Sequence, residues 1–489
     1  MAVLDNIEPK KVFKYFEEIC GIPHGSSDTK RISDYLVNFA NTRNLKVIQD
    51  NMNNVIIFKP GTAGYENSAP VMIQGHMDMV CEKDKDCDID FSKDGLRLRV
   101  DGNVISADGT TLGGDDGIAL AFALAILDSD ENEIPHPPLE VIFTVDEEIG
   151  MFGATGLDCS VLSSKIMLNL DSEDEGKLLV SCAGGVTSTC YVPVEYSDFR
   201  ADDTYYAKKI TVTGISGGHS GVEIDKQGAN ANKVLGRVLY SLKQDMDFCL
   251  IELNGGLKEN AIPRESYAVI TYKDSNETDI LNNKLQNLGA VLKNEYGKTD
   301  ADIQIVISDT EESYDNHMSK ASTDKVIAAL VSLPNGIQRM SSDIEGLVQT
   351  SLSLGIMKTA GDEVSFCYSV RSSVESEKEE LEARLKCLME ALGGRYTAGG
   401  SYPAWEYRRD SKLRDLMVDV YKDMFKEEPE IQAIHAGVEC GIFAGKVSDL
   451  DCVSYGPQMD DIHTSSERLY IDSVVRTWNY TLEILKRLK

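Results

Sequence analysis

Two kinds of hydrophobic pattern alternate along residues 1–185 of the chain. Apolar residues recur at spacings of three and four in 10–20 and 29–41, which predicts two amphipathic helices. Short continuous apolar runs predict buried strands, and a longer run at 118–127 predicts a buried helix. The alternation of the two patterns indicates an α/β sheet domain. The runs that predict strands are 54–58, 70–74, 140–145 and 165–170.

The pattern changes near residue 186. Segments 209–212 and 267–272 are β-rich, whereas 231–243 and 376–392 have helical periodicity, a mixture typical of an α+β domain. This part of the chain, about 210 residues long, has room for two copies of a small fold, although no short repeat is visible in it.

Glycine pairs at 393–394 and 399–400 predict a break at the end of this second domain. After the break, the alternation of helical and strand patterns seen in residues 1–185 returns. Helical patterns occur at 413–425 and 471–487, and an apolar run occurs at 452–455. We therefore expect one α/β domain that is interrupted by an inserted domain. The predicted bounds are 1–185 and 398–489 for the α/β domain and 186–397 for the insertion.

Composition and charge narrow the range of partners. The chain has 49 Lys and Arg against 80 Asp and Glu, a net charge of −31, while its apolar fraction of 42% is ordinary for a globular protein. The excess charge therefore describes a solvated surface and not a disordered chain. Because such a surface repels phosphate backbones and anionic lipids, we expect no nucleic-acid and no membrane partner. Small molecules and metal ions fit better.

The hydrophobic pattern predicts no membrane span, because the longest apolar run has about ten residues and a spanning helix needs about twenty. Residues 1–11 mix acidic, basic and apolar side chains and lack the hydrophobic core of a secretory signal. The 11 cysteines are scattered without CxxC spacing, which favours reduced thiols over disulfides. These features predict a cytoplasmic protein.

The first candidate site residues end a predicted strand, Val71-Met-Ile-Gln-Gly-His76-Met-Asp78. The two-residue period of a strand places His76 and Asp78 on the same side of its carboxyl end. One interpretation is a metal ligand with a carboxylate that orients it. The other is a structural histidine held by a neighbouring acid.

Two further motifs place acids at the ends of predicted elements. In Leu112-Gly-Gly-Asp-Asp-Gly, glycines permit a tight turn and two acids precede a helix, whose N-terminus stabilises negative charge. Helix capping explains one of these acids better than two. The strand 141–145 runs directly into Asp146-Glu-Glu, and the mutual repulsion of these acids requires a cation or a solvated loop.

Two more predicted strands end in the same way, at Asp171 and in the segment that leads to His463. Open α/β sheets bind ligands at the carboxyl ends of their parallel strands. Mixed nitrogen and oxygen ligands suit zinc, manganese or cobalt better than calcium. Five ligands exceed one tetrahedral zinc, so we expect two ions about 3.5–4 Å apart that share a carboxylate, with Glu147 left as a base. The candidate ligands are His76, Asp115, Glu148, Asp171 and His463.

Together these motifs resemble those of aminoacyl-histidine dipeptidases, which are cytosolic non-specific dipeptidases among the co-catalytic zinc exopeptidases. The resemblance follows the order of the chain from about Phe13 onwards. It includes the motifs above and Gly-Ile-Ser-Gly-Gly-His219-Ser-Gly, Asn260-Ala-Ile-Pro-Arg, Ser-Val-Arg371-Ser-Ser, His435-Ala-Gly-Val-Glu-Cys-Gly and Asp-Ile-His463-Thr-Ser-Ser-Glu.

The resemblance implies a zinc-exopeptidase-like catalytic domain, with a mixed sheet flanked by helices, and an inserted α+β lid domain. It also implies a distribution of the ligands. Asp115 bridges both ions, His76 and Asp171 bind one, and Glu148 and His463 bind the other.

The implied reaction is hydrolysis of unblocked dipeptides, including Xaa-His dipeptides. Asp78 would orient His76, and Glu147 would be the general base. His219 would stabilise the oxyanion, while Asn260 and Arg371 would hold the substrate carboxylate. His435 would serve either as a wall of the substrate pocket or in packing.

Three alternatives stay open at this point. An aminoacylase or a carboxypeptidase of the same architecture would share the metal ligands, and a non-catalytic metal-binding protein would share the fold. The resemblance further implies a homodimer through the lid, and in relatives with a small lid the histidine equivalent to His219 reaches the partner's active site. A doubled lid would instead supply it within one chain.

Overall fold

The computed structural model describes residues 3–130, 133–200, 203–310 and 312–489. The chain forms two compact units, and the second interrupts the first. The first unit comprises Met1–Cys182, Tyr407–Ala433 and Val438–Lys489, and the second comprises Ala183–Glu406 and Ile434–Gly437.

The described residues form 25 strands and 11 α-helices, each numbered in chain order. The strands are β1 (Lys46–Gln49), β2 (Val55–Lys59), β3 (Val71–His76), β4 (Leu98–Asp101), β5 (Val104–Ala107), β6 (Leu139–Thr144), β7 (Ile166–Asn169), β8 (Lys177–Cys182), β9 (Gly184–Pro193), β10 (Tyr196–Asp198), β11 (Tyr206–Thr213), β12 (Gly218–His219), β13 (Cys249–Gly255), β14 (Ala261–Ile262), β15 (Ser266–Tyr272), β16 (Gln304–Asp309), β17 (Asn316–Met318), β18 (Gly336–Met340), β19 (Val348–Ala360), β20 (Glu363–Ser372), β21 (Arg395–Tyr402), β22 (Glu430–Ile434), β23 (Asp451–Ser454), β24 (Met459–Asp460) and β25 (Arg468–Tyr470). The helices are α1 (Lys10–Cys20), α2 (Lys30–Thr42), α3 (Gly114–Leu127), α4 (Phe152–Gly156), α5 (Ala231–Lys243), α6 (Glu277–Tyr296), α7 (Lys320–Ser332), α8 (Glu375–Ala391), α9 (Lys412–Phe425), α10 (Glu439–Lys446) and α11 (Ile471–Arg487).

An eight-stranded mixed sheet forms the centre of the first unit, in the order β1-β2-β6-β3-β7-β23-β8-β22. Its strands β6, β3, β7 and β23 are parallel to their neighbours in this series. The pairs β1–β2, β2–β6 and β23–β8 are antiparallel. The four parallel strands therefore end together, which confirms the predicted sheet whose strands share a common carboxyl end.

Burial explains why the sequence forms these elements. Strands β3 and β6 are buried at every position, so their sequences are mostly apolar and do not alternate between apolar and polar residues. Every residue of α3 is also buried, and this helix packs against α1 and β3. Amphipathic α1 buries one face, including Phe13 and Phe16. Among the described residues, no helix is both long and apolar enough to cross a bilayer.

The second unit is built on a nine-stranded sheet that contains two copies of one small α+β fold. Along its main path the order is β16-β11-β15-β13-β19-β20-β9-β21, and β18 pairs with β19. One copy runs β11-α5-β13-β15-α6-β16 and has the spatial strand order 4-1-3-2. The other runs β9-α7-β19-β20-α8-β21 and has the mirror order 2-3-1-4, with the first copy inserted after its β9. The lid is therefore doubled within one chain.

The two copies share one hydrophobic core and are joined by one pair of strands. Their second strands, β13 and β19, pair through Asn254 with Lys358 and Gly255 with Met357. Each of the four long helices of the unit contributes a buried leucine to one hydrophobic cluster. These leucines are Leu235 (α5), Leu285 (α6), Leu330 (α7) and Leu385 (α8).

The second glycine pair does not end the inserted domain. Gly399 and Gly400 lie within β21, an edge strand paired with β9, and the register shifts between Gly399 and Tyr402. Edge strands tolerate such irregularities, and glycine adopts the positive φ of +61° found at Gly400 without a steric penalty. The strand, and with it the second unit, therefore continues past the predicted break.

Candidate metal centre

Four of the five candidate ligands follow the parallel strands of the first unit. His76 is the last residue of β3, Glu148 follows β6, Asp171 follows β7, and His463 lies beyond β23. The fifth, Asp115, lies at the start of α3, the buried helix that packs against β3. The topology thus brings together side chains that are far apart in sequence, as expected at the carboxyl ends of parallel strands.

Asp115 is at the centre of the cluster. Its Oδ1 lies 2.9 Å from Nε2 of His76, and its Oδ2 lies 3.0 Å from Nε2 of His463. Asp171 Oδ1 is 3.5 Å from His76 Nε2, and Glu148 Oε1 is 3.0 Å from His463 Nε2. The five residues form two potential metal-binding groups, His76–Asp115–Asp171 and Asp115–Glu148–His463, each with ligand atoms within 4.8 Å of one another. Asp115 is common to both groups.

The electrostatics of the cluster favour cations. Burial alone would lower the pKa of His76, but Asp171 and the other neighbouring acids raise it well above its usual value. Hydrogen bonds to Asp115 and Glu148 raise the pKa of His463 to about 10. Burial works to raise the pKa of Asp115, but its hydrogen bonds with both histidines outweigh burial and lower it. A field that holds protons on two imidazoles also attracts divalent metal ions.

The individual donor atoms also fit two metal ions. His76 Nδ1 lies 2.9 Å from the backbone oxygen of Asp78, which can only accept a hydrogen bond. Nδ1 therefore carries a proton and Nε2 is the nitrogen available to a metal. Glu148 Oε1 is buried and lies 3.0 Å from His463 Nε2, the nitrogen that also contacts Asp115. Two imidazoles and three carboxylates with converging donor atoms suit a pair of divalent ions.

Asp78 contacts both His76 and the backbone of Glu147. Its carboxylate lies 3.6 Å from His76 Nδ1, so its backbone oxygen makes the shorter contact with the imidazole. The carboxylate instead accepts hydrogen bonds from the hydroxyl of Ser26 at 2.8 Å and from the backbone N–H of Glu147 at 3.0 Å. Asp78 thus fixes the orientation of His76 and the position of the acidic segment after β6 at the same time.

Glu147 differs from its neighbour Glu148 because it belongs to neither metal-binding group. Burial raises the pKa of its carboxyl to about 9, and the charges of Asp171, Glu439 and Glu148 act in the same direction. A carboxyl that is near the cluster but is not a ligand can accept and donate protons.

Glu439 is a buried residue beneath the cluster for which the sequence predicted no role. It is fully buried, and its Oε2 accepts hydrogen bonds from Gln74 Nε2 at 2.5 Å and from Thr144 Oγ1 at 2.7 Å. Gln74 in turn accepts a hydrogen bond from Asn169 Nδ2 at 2.6 Å. These bonds connect the ends of β3, β6 and β7. The signal available in the sequence was an acid at the start of the mostly apolar segment that forms α10.

The second unit contains a separate polar cluster formed by His219, Arg371 and His435. Burial lowers the pKa of His219, and the charge of Arg371 lowers it further. The same two effects, burial first, lower the pKa of His435 to about 3. A Cβ atom on Gly221 would lie 2.5 Å from the backbone oxygen of His435 and 3.2 Å from Arg371 Nε. A glycine is therefore required for this close approach.

Two buried nitrogen atoms in this second cluster have no hydrogen-bond partner among the described residues. Arg371 Nε and His435 Nδ1 are buried and make no hydrogen bond within the described residues. The other ring nitrogen of His435, Nε2, lies 2.7 Å from the hydroxyl of Ser351, and Arg371 Nη1 donates to Tyr402 Oη at 2.9 Å. Buried polar groups without partners cost stability unless a ligand satisfies them.

Asn260 and His219 line one cavity of about 680 Å³ in the second unit. The backbone oxygen of Asn260 accepts a hydrogen bond from the N–H of Ser220, next to His219, at 2.9 Å. His219 is the last residue of β12 and pairs with Ala261, the first residue of β14, which follows Asn260 in the chain. The structure therefore brings together the predicted lid residues His219 and Asn260, as well as His219, Arg371 and His435, within one chain.

The fold and the acidic, histidine-containing cluster define a class, the metal-dependent peptidases with an inserted lid. The chain belongs to the family described as Peptidase family M20/M25/M40, whose model matches residues 72–487. It is therefore a metallopeptidase, a hydrolase.

Individual relatives agree with this assignment. The chain is 37% identical over 488 residues to the cytosol non-specific dipeptidase of Escherichia coli (strain K12), covering 100% of this chain and 99% of the relative. The aminoacylhistidine dipeptidase of Vibrio alginolyticus matches with a TM-score of 0.91 and 36% identity, over 99% of this chain and 97% of the other. An aminopeptidase from Bacillus cereus shares the fold, with a TM-score of 0.57 and 15% identity over 99% of each chain. These similarities confirm the resemblance to aminoacyl-histidine dipeptidases.

Proposed function

We propose that this protein hydrolyses unblocked dipeptides, including Xaa-His dipeptides, in the cytoplasm, without a nucleic-acid or membrane partner. One observation carries the proposal. Asp115 is shared by two metal-binding groups while Glu147 is left outside both, in a chain that is 37% identical over its whole length to a cytosol non-specific dipeptidase. The reaction needs a metal pair and a separate base, and this arrangement supports the presence of both.

The two groups would hold two divalent cations, zinc or alternatively manganese or cobalt, which act as Lewis acids and lower the pKa of a bound water. Bound divalent cations would lower the raised pKa of Glu147, so that its carboxylate would accept the proton of the attacking water and later donate a proton to the leaving amine. Asp78 would keep His76 and the backbone of Glu147 in place through the contacts described above.

The hydrogen bonds of His219 favour a role as a donor. Its Nδ1 accepts hydrogen bonds from the backbone N–H groups of Gly221 and Val222, both at 3.2 Å. A neutral imidazole that accepts at Nδ1 carries its proton on Nε2. With its pKa lowered, His219 is neutral near pH 7, so Nε2–H is free to stabilise the tetrahedral oxyanion.

Arg371, Asn260 and His435 would bind the carboxylate of the dipeptide. The unpartnered Nε of Arg371 and the unpartnered Nδ1 of His435 supply buried polar atoms that this carboxylate can satisfy. The planar guanidinium is suited to bidentate contacts with a carboxylate. This role separates a dipeptidase from an aminopeptidase, whose longer substrates have a peptide bond at that position.

The proposal is tested with purified protein of measured metal content. A panel of substrates would contain Xaa-His dipeptides, β-alanyl-histidine, tripeptides and N-acylated amino acids. We expect turnover of the free dipeptides. Turnover of only acylated amino acids would identify an aminoacylase, and cleavage of only tripeptides or longer peptides would contradict the dipeptide class.

We also propose that His219 acts in the chain that carries it and that the protein forms a homodimer through the lid. The doubled lid supports the first part, because His219, Arg371 and His435 cluster within one chain. Refolding an equal mixture of His219→Ala and Glu147→Ala proteins tests it. If the histidine acted across a dimer, about half of the dimers would be mixed and about a quarter of wild-type activity would return. We expect no such recovery, and sedimentation of the wild type tests the dimer.

A further inference from the structure

Glu467 makes an unusual set of contacts next to the bridging residue Asp115. Its side chain is 2% exposed. One carboxylate oxygen accepts hydrogen bonds from the backbone N–H groups of Leu112 at 2.7 Å and Gly113 at 3.1 Å, and the other accepts one from Gly114 at 2.8 Å. The three consecutive N–H groups that precede Asp115 are therefore all bound by one carboxylate.

The local sequence is suited to this contact. Gly113 has a φ of +67°, which turns successive N–H groups towards a common point. A Cβ atom on Gly114 would lie 3.1 Å from Glu467 Oε1 and 2.9 Å from the sulfur of Met459. The two glycines thus permit the approach of Glu467.

The other end of this connection is the loop that contains His463. Glu467 is four residues after His463, and its own N–H donates to the backbone oxygen of Thr464 at 3.2 Å. The side chain of His463 is 45% exposed, whereas that of His76 is 1% exposed. Packing therefore holds His76, but the position of His463 depends on its loop. Glu467 ties this loop to the turn that carries Asp115.

The two metal-binding groups depend on this tie to different degrees. Asp115 and His463 both belong to the group Asp115–Glu148–His463. In the group His76–Asp115–Asp171, His76 ends a fully buried strand and Asp171 follows β7, which is paired on both sides. In the group His76–Asp115–Asp171, only Asp115 lies next to a contact of Glu467.

We propose that Glu467 is a positioning residue that sets the metal affinity of the Asp115–Glu148–His463 group. Loss of its carboxylate releases the turn before Asp115 and the loop after His463 from each other. This weakens ion binding at that group more than at His76–Asp115–Asp171. The inference rests on the two-cation centre proposed above.

Titration of the metal-free full-length protein with Zn²⁺ by calorimetry tests this inference, because it measures binding and not turnover. Glu467→Gln keeps the size of the side chain but replaces one acceptor oxygen by a donor. We expect two binding events in the wild type. In Glu467→Gln, one of them should weaken about 10- to 100-fold and the other less than about 3-fold. Glu467→Asp, which keeps the charge but is one methylene shorter, should weaken the same event.

Glu140 provides a matched control. It is 4% exposed, and its carboxylate accepts hydrogen bonds from the backbone N–H groups of Ser163 and Ser164 at 2.9–3.1 Å. Glu140→Gln should therefore lose thermal stability to a similar extent and keep both affinities. Two unchanged events in both Glu467 variants would overturn this inference alone. A single event in the wild type would overturn the two-cation centre and this inference with it.

Discussion

The histidines of the two units experience opposite electrostatic surroundings. In the first unit, His76 and His463 face carboxylates, and their pKa values are raised. In the second unit, His219 and His435 are near Arg371 and are partly or fully buried, and their pKa values are lowered. The same side chain is therefore prepared for different partners. Acids around an imidazole stabilise its protonated form and favour cations nearby, whereas burial and a neighbouring arginine keep it neutral.

The comparison explains why the proposed reaction would use both clusters. A dipeptide presents a carbonyl to be polarised and a terminal carboxylate to be held, and one electrostatic field cannot favour both a cation and an anion. In the proposed enzyme, the first unit supplies the negative field and the second unit supplies the positive one. Each of the following changes alters the chemistry of one of the two clusters.

Removal of metal should have the largest effect. Without a Lewis acid the attacking water keeps a pKa near 16, so hydroxide is scarce at neutral pH. We expect chelation to reduce turnover more than about 1,000-fold, and Zn²⁺, Mn²⁺ or Co²⁺ to restore it. Activity and metal content are measured on the same samples. Full activity in protein shown to be metal-free would contradict the proposed chemistry of the first unit.

Exchange of Glu147 for Gln should be the next largest change. The amide keeps the shape of the side chain but cannot accept a proton, so kcat should fall about 100- to 10,000-fold while metal content stays the same. Glu148→Gln is the matched control, since it removes a ligand from one group and should lower metal affinity. The assignment of the two neighbours is wrong if these two phenotypes are exchanged.

Replacement of Arg371 by Met removes the positive charge of the second cluster. The loss of a charged hydrogen-bond donor should raise KM for dipeptides about 10- to 100-fold. It should also raise the pKa of His435 and of His219, because the charge that lowers both is gone. NMR titration of the imidazoles measures this shift. Arg371→Lys keeps the charge, so it should raise KM but shift the two pKa values less; equal shifts in both variants would argue against a charge effect.

The smallest effect concerns the stability of the second unit at acid pH. The pKa of His435 is about 3 in the folded protein and near 6.5 in the unfolded chain. Between these values the unfolded chain binds a proton that the folded protein does not, so stability falls as pH falls, by at most about 1.4 kcal/mol per pH unit. His435→Gln should flatten this dependence between pH 6.5 and 4.5. Parallel curves for both proteins in denaturant titrations would show that His435 is not buried as a neutral group.

Much of the catalytic unit could be predicted from the sequence because its elements are governed by burial. Mostly apolar runs such as 140–145 lie within a few residues of the strands they predict, and amphipathic α1 and α11 have the predicted bounds. The candidate ligands could also be predicted as a group, because each motif alone is weak but several predicted strands place a histidine or acid at their carboxyl ends.

Other features were beyond the reach of the local pattern. Helix α6 has 20 residues but buries only Leu281, Leu285 and Leu292, so its periodicity is weak. The doubled lid was not visible because its first copy is inserted after β9 of the second. Glu439 and Glu467 were within recognised motifs, yet their roles depend on backbone and amide groups that only the folded chain brings near them.

The central sheet also determines when the enzyme can become active during its synthesis. In β7, Ile166 pairs with Asp451 of β23, so the sheet stays incomplete until the ribosome has made the whole lid. At typical translation rates this interval is about 15 to 60 s. The lid copy that begins at β11 and ends at β16 consists of neighbouring segments and can fold during that time. The nascent first unit meanwhile lacks β23 beside β7, and the candidate ligand His463 has not been made. The proposed activity therefore requires synthesis to have passed His463, and chains released before that point would lack the proposed metal centre.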